Sequence, residues 1–172
     1  LLAKAHAVTL PVVLLILDLW PLRRQGSPLR LLGEKLPFFA ASLLASWAAL
    51  HAQAESGALV SMAERGLHER LATLVYGLSV YPGKFLLPLW LSPVYYHDDL
   101  AAYPLGLSAL ALGILLLAAL LLWRRAPWFG VSWAIYGLVL LPVSGLFQAG
   151  PQLVADRYTY FAGLPFAFLV AG

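Results

Sequence analysis

Long apolar stretches separated by short polar segments dominate the chain. They cover residues 5–22, 36–54, 105–123, 127–147 and 161–172, and the end of the chain cuts the last one short. A helix of about 20 apolar residues is long enough to cross a bilayer. The pattern therefore predicts an all-α protein, built as a polytopic bundle of transmembrane helices.

Residues 71–91 are equally apolar but interrupted by Pro82-Gly83-Lys84, with Pro88 shortly after. Proline removes a backbone donor, glycine is conformationally permissive, and a lysine in mid-membrane is costly. We predict a broken helix here, with two half-helices that dip into the membrane and return or lie at its interface. Such backbone is tolerated at membrane depth only where protein or a wet cavity covers it.

Composition supports a membrane protein, because 62% of the 172 residues are hydrophobic and 11% are charged. Soluble proteins average roughly 45–50% apolar and about 25% charged residues. The absence of cysteine excludes disulfides, thiolate metal sites and cysteine nucleophiles. Because the chain begins at Leu1 and stops at Gly172 within an apolar run, we expect it to be part of a longer protein, cut at both ends.

The placement of basic residues favours a return of residues 71–91 to the side they came from. Six basic residues then share the inner side: Arg23, Arg24, Arg30, Lys35, Arg124 and Arg125. Five others lie outside: Lys4, Arg65, Arg70, Lys84 and Arg157. This bias agrees with the positive-inside rule and disappears if residues 71–91 cross the membrane. Within the inner loop we expect Asp18 to pair with Arg23 or Arg24.

The outer side then collects the polar residues that have no evident partner. Residues 55–70 have loose helical spacing and are expected to form a helix on the outer membrane surface. Residues 148–160, QAGPQLVADRYTY, place an Asp-Arg pair and two tyrosines between two apolar segments. Such a pair at a membrane boundary is costly unless it has a partner or a function. The structural alternative is that Asp156 and Arg157 cap the next helix and pair with each other or with a neighbouring residue.

Several blocks occur in an order that resembles a known family: AKAHAVTLPVVLLILDLWPL, EKLPFF, AQAESGA, YPGKFLLPLWLSPVYY, RRAPWFGVSW and LLPVSGLFQAGPQLVADRYTY. The chain resembles, over nearly its whole length, the membrane region of tetratricopeptide-repeat-containing O-mannosyltransferase-like proteins and their bacterial relatives. These are glycosyltransferases of the GT-C fold, and the ADRYTY block is the most specific part of the resemblance. Ala5 and His6 depart from a usual Pro and Met, and His97-Asp98-Asp99 replaces a proline-containing loop.

The resemblance implies a transferase in the bacterial inner membrane or the endoplasmic reticulum. It would move a mannose-like sugar from a polyprenyl phosphate to a protein hydroxyl on the outer or luminal side. The bilayer, the lipid-linked sugar and the protein acceptor are therefore the expected partners, and a soluble repeat domain is expected downstream. The family's catalytic acidic residue lies in the first external loop, which would precede Leu1, so we expect no catalytic residue within this chain.

Transfer from a lipid phosphate requires a group that holds the leaving phosphate. Arginine suits this role because its planar guanidinium stays charged and pairs bidentately with phosphate. We expect Arg157 to bind the donor phosphate, with Lys84 and Lys4 as further candidates. The alternative for both lysines is that they extend to the membrane interface. Supporting roles are expected for Asp156, which would orient Arg157, and for Tyr158, Tyr160 and Gln148.

A metal site is not predicted. His97, Asp98 and Asp99 carry suitable ligand atoms, but adjacent residues rarely all face one ion, and a solvated loop is the favoured interpretation. No cofactor is expected with certainty, and dependence on a divalent ion stays open. The chain has no Walker loop, dinucleotide fingerprint or basic-aromatic cluster, so no nucleic-acid partner is expected.

Two other functions stay open. A transporter or flippase for a lipid-linked or anionic substrate would also use a broken apolar segment, although no inverted repeat of it is evident. An inactive membrane scaffold carrying interaction repeats is the third possibility. An acidic residue in the loop upstream of this chain would favour the enzyme.

Overall fold

The fold is mostly helical, as the apolar pattern predicts. The computed structural model describes residues 8–57, 65–88, 91–92, 95–96, 105–146 and 152–171. In these ranges it has six α-helices: α1 Leu10–Leu19, α2 Pro28–Glu55, α3 Leu67–Leu86, α4 Leu105–Leu122, α5 Pro127–Leu140 and α6 Thr159–Ala171. Two short 3₁₀ turns cover Leu141–Val143 and Asp156–Tyr158, and a small antiparallel ribbon pairs β1 Tyr95–Tyr96 with β2 Gln152–Val154.

The helix α2 begins earlier than the predicted apolar stretch 36–54. Ser27 caps its first turn, since its Oγ accepts a hydrogen bond of 3.3 Å from the backbone N–H of Arg30. Pro28 occupies the first helical position, where its missing N–H has no intrahelical role. Capping chemistry therefore starts the helix inside the polar loop, and two turns that carry charges precede its apolar part.

Those charges form a network that joins α1 to α2. The Lys35 Nζ lies 2.7 Å from the Asp18 Oδ2, and the two residues are only 7% and 5% exposed. Arg24 contacts Asp18 at 3.5 Å, which confirms it as one of the two expected partners, and contacts Glu34 at 2.8 Å. The hydrogen bond from Arg24 holds the pKa of Glu34 below its ordinary value. The closest partner of Asp18 is nevertheless Lys35, two turns into α2.

An aromatic core lies between α3, α5 and α6. The Trp133 ring centroid lies 5.1 Å from that of Tyr136 and 5.2 Å from that of Phe166, in edge-to-face arrangements that aromatic pairs prefer. Tyr76 and Tyr81 of α3 belong to the same buried cluster. Aromatic packing thus fixes α3 beside α5 and α6.

The predicted break in residues 71–91 is wrong, because α3 runs unbroken from Leu67 through Pro82 to Leu86. A proline leaves the carbonyl four residues earlier without its helical N–H partner. Here that carbonyl belongs to Leu78, and it accepts a hydrogen bond of 2.8 Å from the Tyr136 hydroxyl. A donor from α5 therefore replaces the missing backbone donor, and the helix continues.

Contacts along α3 set the directions of the neighbouring helices. Tyr136 of α5 lies opposite Leu78, and Arg70 donates a 2.9 Å hydrogen bond to the Leu146 carbonyl beyond α5. The helices α3 and α5 are therefore antiparallel. A tight turn joins α4 to α5, where the Trp123 ring lies so close to Gly130 that an added Cβ would be 2.5 Å from it. Hence α3 and α4 run parallel and begin at the same end of the bundle.

The ribbon lies beside α3. β2 follows the direction of α3, since Val154 faces Gly77 and the N–H of Ala155 bonds the Tyr81 hydroxyl. β1 is antiparallel to β2 and so runs back toward the start of α3. Of the predicted surface helix 55–70, residues 58–64 lie outside the described residues, and its ends belong to α2 and α3.

Among the described residues, α4 is the helix that is long and apolar enough to cross a membrane, while α1 and the stretch Pro127–Val143 are shorter apolar helices. On α4, Ser108, Leu112, Leu115 and Ala119 share one stripe facing the bundle. Most of its other large side chains are exposed, including Leu107, Leu110, Ile114, Leu117 and Leu120. A helix that is apolar on every side suits a lipid or core environment rather than water.

Candidate functional site

Asp156 lies where β2 ends and the 3₁₀ turn before α6 begins. Its Oδ2 accepts two hydrogen bonds, 2.6 Å from the backbone N–H of Ser92 and 2.9 Å from the Tyr95 hydroxyl. Its Oδ1 is buried and has no hydrogen-bond partner within the part of the chain that the structure describes. The carboxylate is therefore held through one oxygen only.

Lys84 joins the same group through Tyr95. Its Nζ donates a hydrogen bond of 2.8 Å to the Tyr95 hydroxyl and lies 5.1 Å from the centroid of that ring. The Tyr95 hydroxyl thus accepts from the lysine and donates to the carboxylate. We call Lys84, Ser92, Tyr95 and Asp156 the Asp156 cluster.

Several backbone contacts fix the position of Asp156. Ala155 is 0% exposed, and its N–H donates to the Tyr81 hydroxyl at 3.1 Å. The carbonyl of Asp156 accepts a 2.7 Å hydrogen bond from Thr159 Oγ1, and its N–H donates to the Ser92 carbonyl at 3.4 Å. The carboxylate is therefore positioned by α3, by the ribbon segment and by the first turn of α6.

Arg157 follows Asp156 in the chain, and its side chain packs against Tyr158. It is exposed, and its guanidinium lies 5.3 Å from the Tyr158 ring centroid, with an Nη2 to hydroxyl distance of 3.4 Å. The Asp156 side chain bonds Ser92 and Tyr95. That Asp156 also orients Arg157 stays a prediction.

The remaining predicted site residues fall into two groups. Tyr158 is buried beside Arg157, whereas Tyr160 is 77% exposed, as a residue that anchors the chain at an interface would be. Lys4, Gln148, His97, Asp98 and Asp99 lie outside the described residues. Among the residues that are described, no group of three or more His, Asp or Glu side chains is arranged to hold a metal.

Sequence reasoning missed Tyr95 and Ser92. Both lie in a polar and aromatic segment, SPVYYHDDLAAY, which has no feature that distinguishes one tyrosine from the next. Their role depends on the pairing of Tyr95 with Val154 in the ribbon, which places the hydroxyl between Lys84 and Asp156. The only local signal for a role of this segment is the aromatic pair Tyr95-Tyr96, which follows the prolines at and after the end of α3.

The arrangement joins the Lys84 ammonium group to the Asp156 carboxylate through the Tyr95 hydroxyl, and the exposed Arg157 follows the carboxylate directly in the chain. The two cationic groups suit an anionic ligand, and the unpaired carboxylate oxygen suits a ligand that donates hydrogen bonds. No protein-family model matches the chain, and comparisons with curated proteins and with solved structures also gave no match.

Proposed function

We propose that the protein is a multi-pass membrane glycosyltransferase of the GT-C type. It moves a mannose-like sugar from a polyprenyl phosphate to a protein hydroxyl on the outer or luminal side. The observation that carries the proposal is the Asp156 cluster, where Lys84, Tyr95 and Asp156 meet beside the exposed Arg157. A polyprenyl-phosphate sugar offers the anion and the hydroxyl groups that such side chains bind.

The exposed apolar surface supports a location in the bilayer. Apolar side chains cover the outward face of α4 and much of α2, where Leu43, Leu44 and Trp47 are all exposed. Exposed apolar areas of this extent are rare on soluble monomers and are typical of interfaces with lipid or other proteins. We infer that α4 crosses the membrane and that α1, α2, α5 and α6 contribute further spans.

Within this proposal, Arg157 stabilises the phosphate that leaves when the bond between the sugar and the phosphate breaks. Its side chain is exposed, and the adjoining Tyr158 ring supports the guanidinium. A positioned donor at a developing charge commonly accelerates a reaction by about 100- to 1000-fold.

A transfer assay tests the proposal. The protein, together with any segments that precede or follow this chain, is reconstituted in liposomes with radiolabelled mannosyl polyprenyl phosphate and a serine- and threonine-rich acceptor peptide. We expect Arg157→Ala to reduce transfer by about 100-fold. Arg125→Ala, which removes another exposed arginine in the α4–α5 turn, is the matched control and should leave transfer unchanged. Equal effects of the two substitutions, or no transfer by the wild type, would contradict the proposal.

A labelling experiment tests the topology separately. Single cysteines replace Gly26, Ser56 and Gly106 in the full chain, which are exposed positions beside α2 and at the start of α4. A membrane-impermeant maleimide applied to intact cells should label the cysteines at positions 56 and 106 but not the one at position 26. Labelling at positions 26 and 106 together would place the start of α4 on the inner side and contradict the proposed orientation.

A transporter or flippase of a lipid-linked substrate is the second candidate. The extended ribbon that runs beside α3 favours it, because non-helical backbone next to ionisable side chains is common in transporters. Movement of a fluorescent polyprenyl phosphate across sealed vesicles, without transfer of sugar, would support this function over the transferase.

A further inference from the structure

We propose that Asp156 binds a sugar hydroxyl of the lipid-linked donor through Oδ1, and that Lys84 and Tyr95 hold the carboxylate in place for this. This inference rests on the proposed function and adds to it which part of the donor each charge recognises. Arg157 takes the phosphate, and Asp156 takes the sugar.

The hydrogen bonds of Asp156 are divided unequally between its two oxygens. Oδ2 accepts from the Ser92 N–H and from the Tyr95 hydroxyl, whereas Oδ1 has no partner among the described residues. A buried acceptor that lacks a donor is destabilising, and an ionised one more so. A ligand that supplies a donor to Oδ1 therefore gains an interaction that the folded chain leaves unmade.

The charges around Asp156 indicate a neutral donor as the ligand group. A phosphate would be repelled by the carboxylate, and the Lys84 ammonium already provides a positive charge, through Tyr95, on the Oδ2 side. A hydroxyl group adds a hydrogen bond without adding charge. A sugar attached to a phosphate presents hydroxyl groups next to an anion. Asp156 can accept from such a hydroxyl, and Arg157, the next residue in the chain, can bind the phosphate.

Lys84 acts on the ligand indirectly in this arrangement. Its Nζ bonds the Tyr95 hydroxyl, so that the hydroxyl directs its proton to Asp156 Oδ2. Lys84 is therefore a positioning residue here, in place of the phosphate contact that its sequence context indicated. Since Oδ1 is covered, a hydroxyl reaches it only when the surrounding groups move apart, and the proposal requires the site to open on binding.

Binding to two matched probes tests the inference. The full chain in detergent micelles is titrated with mannosyl polyprenyl phosphate and with the same polyprenyl phosphate lacking the sugar. The ratio of the two affinities isolates the contribution of the sugar. In Asp156→Asn the amide oxygen keeps the bonds to Ser92 and Tyr95, while the NH₂ group replaces Oδ1 and cannot accept from a hydroxyl.

We expect Asp156→Asn to weaken binding of the sugar-bearing probe by about 10- to 100-fold and to leave binding of the bare polyprenyl phosphate unchanged. Arg157→Ala should weaken binding of both probes by similar factors. If Asp156→Asn changes both affinities equally, or neither, the inference is wrong while the proposed function stands. If the wild type binds neither probe, the proposed function fails and the inference fails with it.

Three further substitutions test the positioning role of Lys84. Lys84→Met should reduce the affinity ratio of the two probes, and Lys84→Arg should restore most of it, because arginine also donates to the Tyr95 hydroxyl. Tyr95→Phe should match Lys84→Met. A purely structural lysine would change the unfolding midpoint without changing this ratio, and that result would overturn the positioning role.

Discussion

Removing the Tyr136 hydroxyl should destabilise the protein, and the size of the effect should depend on Pro82. The hydroxyl donates at 2.8 Å to the Leu78 carbonyl, which has no helical N–H partner because residue 82 is proline. Tyr136 is only 1% exposed, so water cannot replace the lost donor. We expect Tyr136→Phe to lower the free energy of unfolding by about 1–3 kcal/mol, the typical effect of a buried polar group left without its partner.

The substitution Pro82→Ala supplies the control. Alanine restores the backbone N–H that bonds the Leu78 carbonyl in a regular helix. In the Pro82→Ala background the Leu78 carbonyl keeps a partner when Tyr136 becomes phenylalanine. The free energy of unfolding lost through Tyr136→Phe should then be less than about half of the loss measured with Pro82 present. The comparison forms a double-mutant cycle between residues that lie in different helices.

The wild type, the two single variants and the double variant are unfolded by sodium dodecyl sulfate in mixed micelles, and the free energy of unfolding is measured for each. Tryptophan fluorescence is a suitable probe because the Trp133 ring lies 5.1 Å from that of Tyr136. Equal losses from Tyr136→Phe in the proline and alanine backgrounds would refute the explanation of how α3 continues through Pro82. The continuity of the helix would then need another cause.

Three further outcomes follow from contacts elsewhere in the bundle. Lys35→Met should lower the unfolding midpoint more than the double substitution with Asp18→Asn, because the single change leaves a buried carboxylate without its partner at 2.7 Å. Glu34 lies outside the predicted spans, and its pKa is lowered from 4.5 in the folded state, so its stabilising contribution is present above pH 4.5 and is lost as the pH falls through the folded pKa. The difference in unfolding midpoint between the wild type and Glu34→Gln should therefore shrink as the pH falls through that range. A difference that stays constant with pH would contradict this. Gly163→Ala should destabilise by about 1–2 kcal/mol in the same unfolding assay, because the new Cβ would lie 2.8 Å from a phenyl ring on α3. Gly137→Ala, where nothing lies within 4 Å, is its control, and equal losses at both glycines would exclude crowding as the cause.

The positions of the helices could be predicted from the sequence because they depend on local composition. The apolar stretches 105–123 and 161–172 correspond to α4 and α6 within a few residues. The stretch 127–147 divides into α5 and a 3₁₀ turn that ends at Val143. Such boundaries follow from side chains within a few residues of each other, which the sequence displays directly.

Asp156 could also be identified from the sequence, because an ionisable residue between apolar segments is unusual wherever it occurs. Its partners could not be identified. The hydrogen bonds from Ser92 and Tyr95 join residues 64 and 61 positions away, and they exist only because β1 pairs with β2.

The sequence by itself determined the helical class and the apolar surface, because hydropathy and helix formation depend on close neighbours in the chain. Tertiary structure decided whether α3 would break at Pro82 and which groups would surround Asp156. The reason is the same in both cases. A local defect, a missing N–H or an ionised carboxylate, is tolerated or not according to the hydrogen-bond donors that distant segments bring to it, such as Tyr136, which lies 58 residues from Leu78.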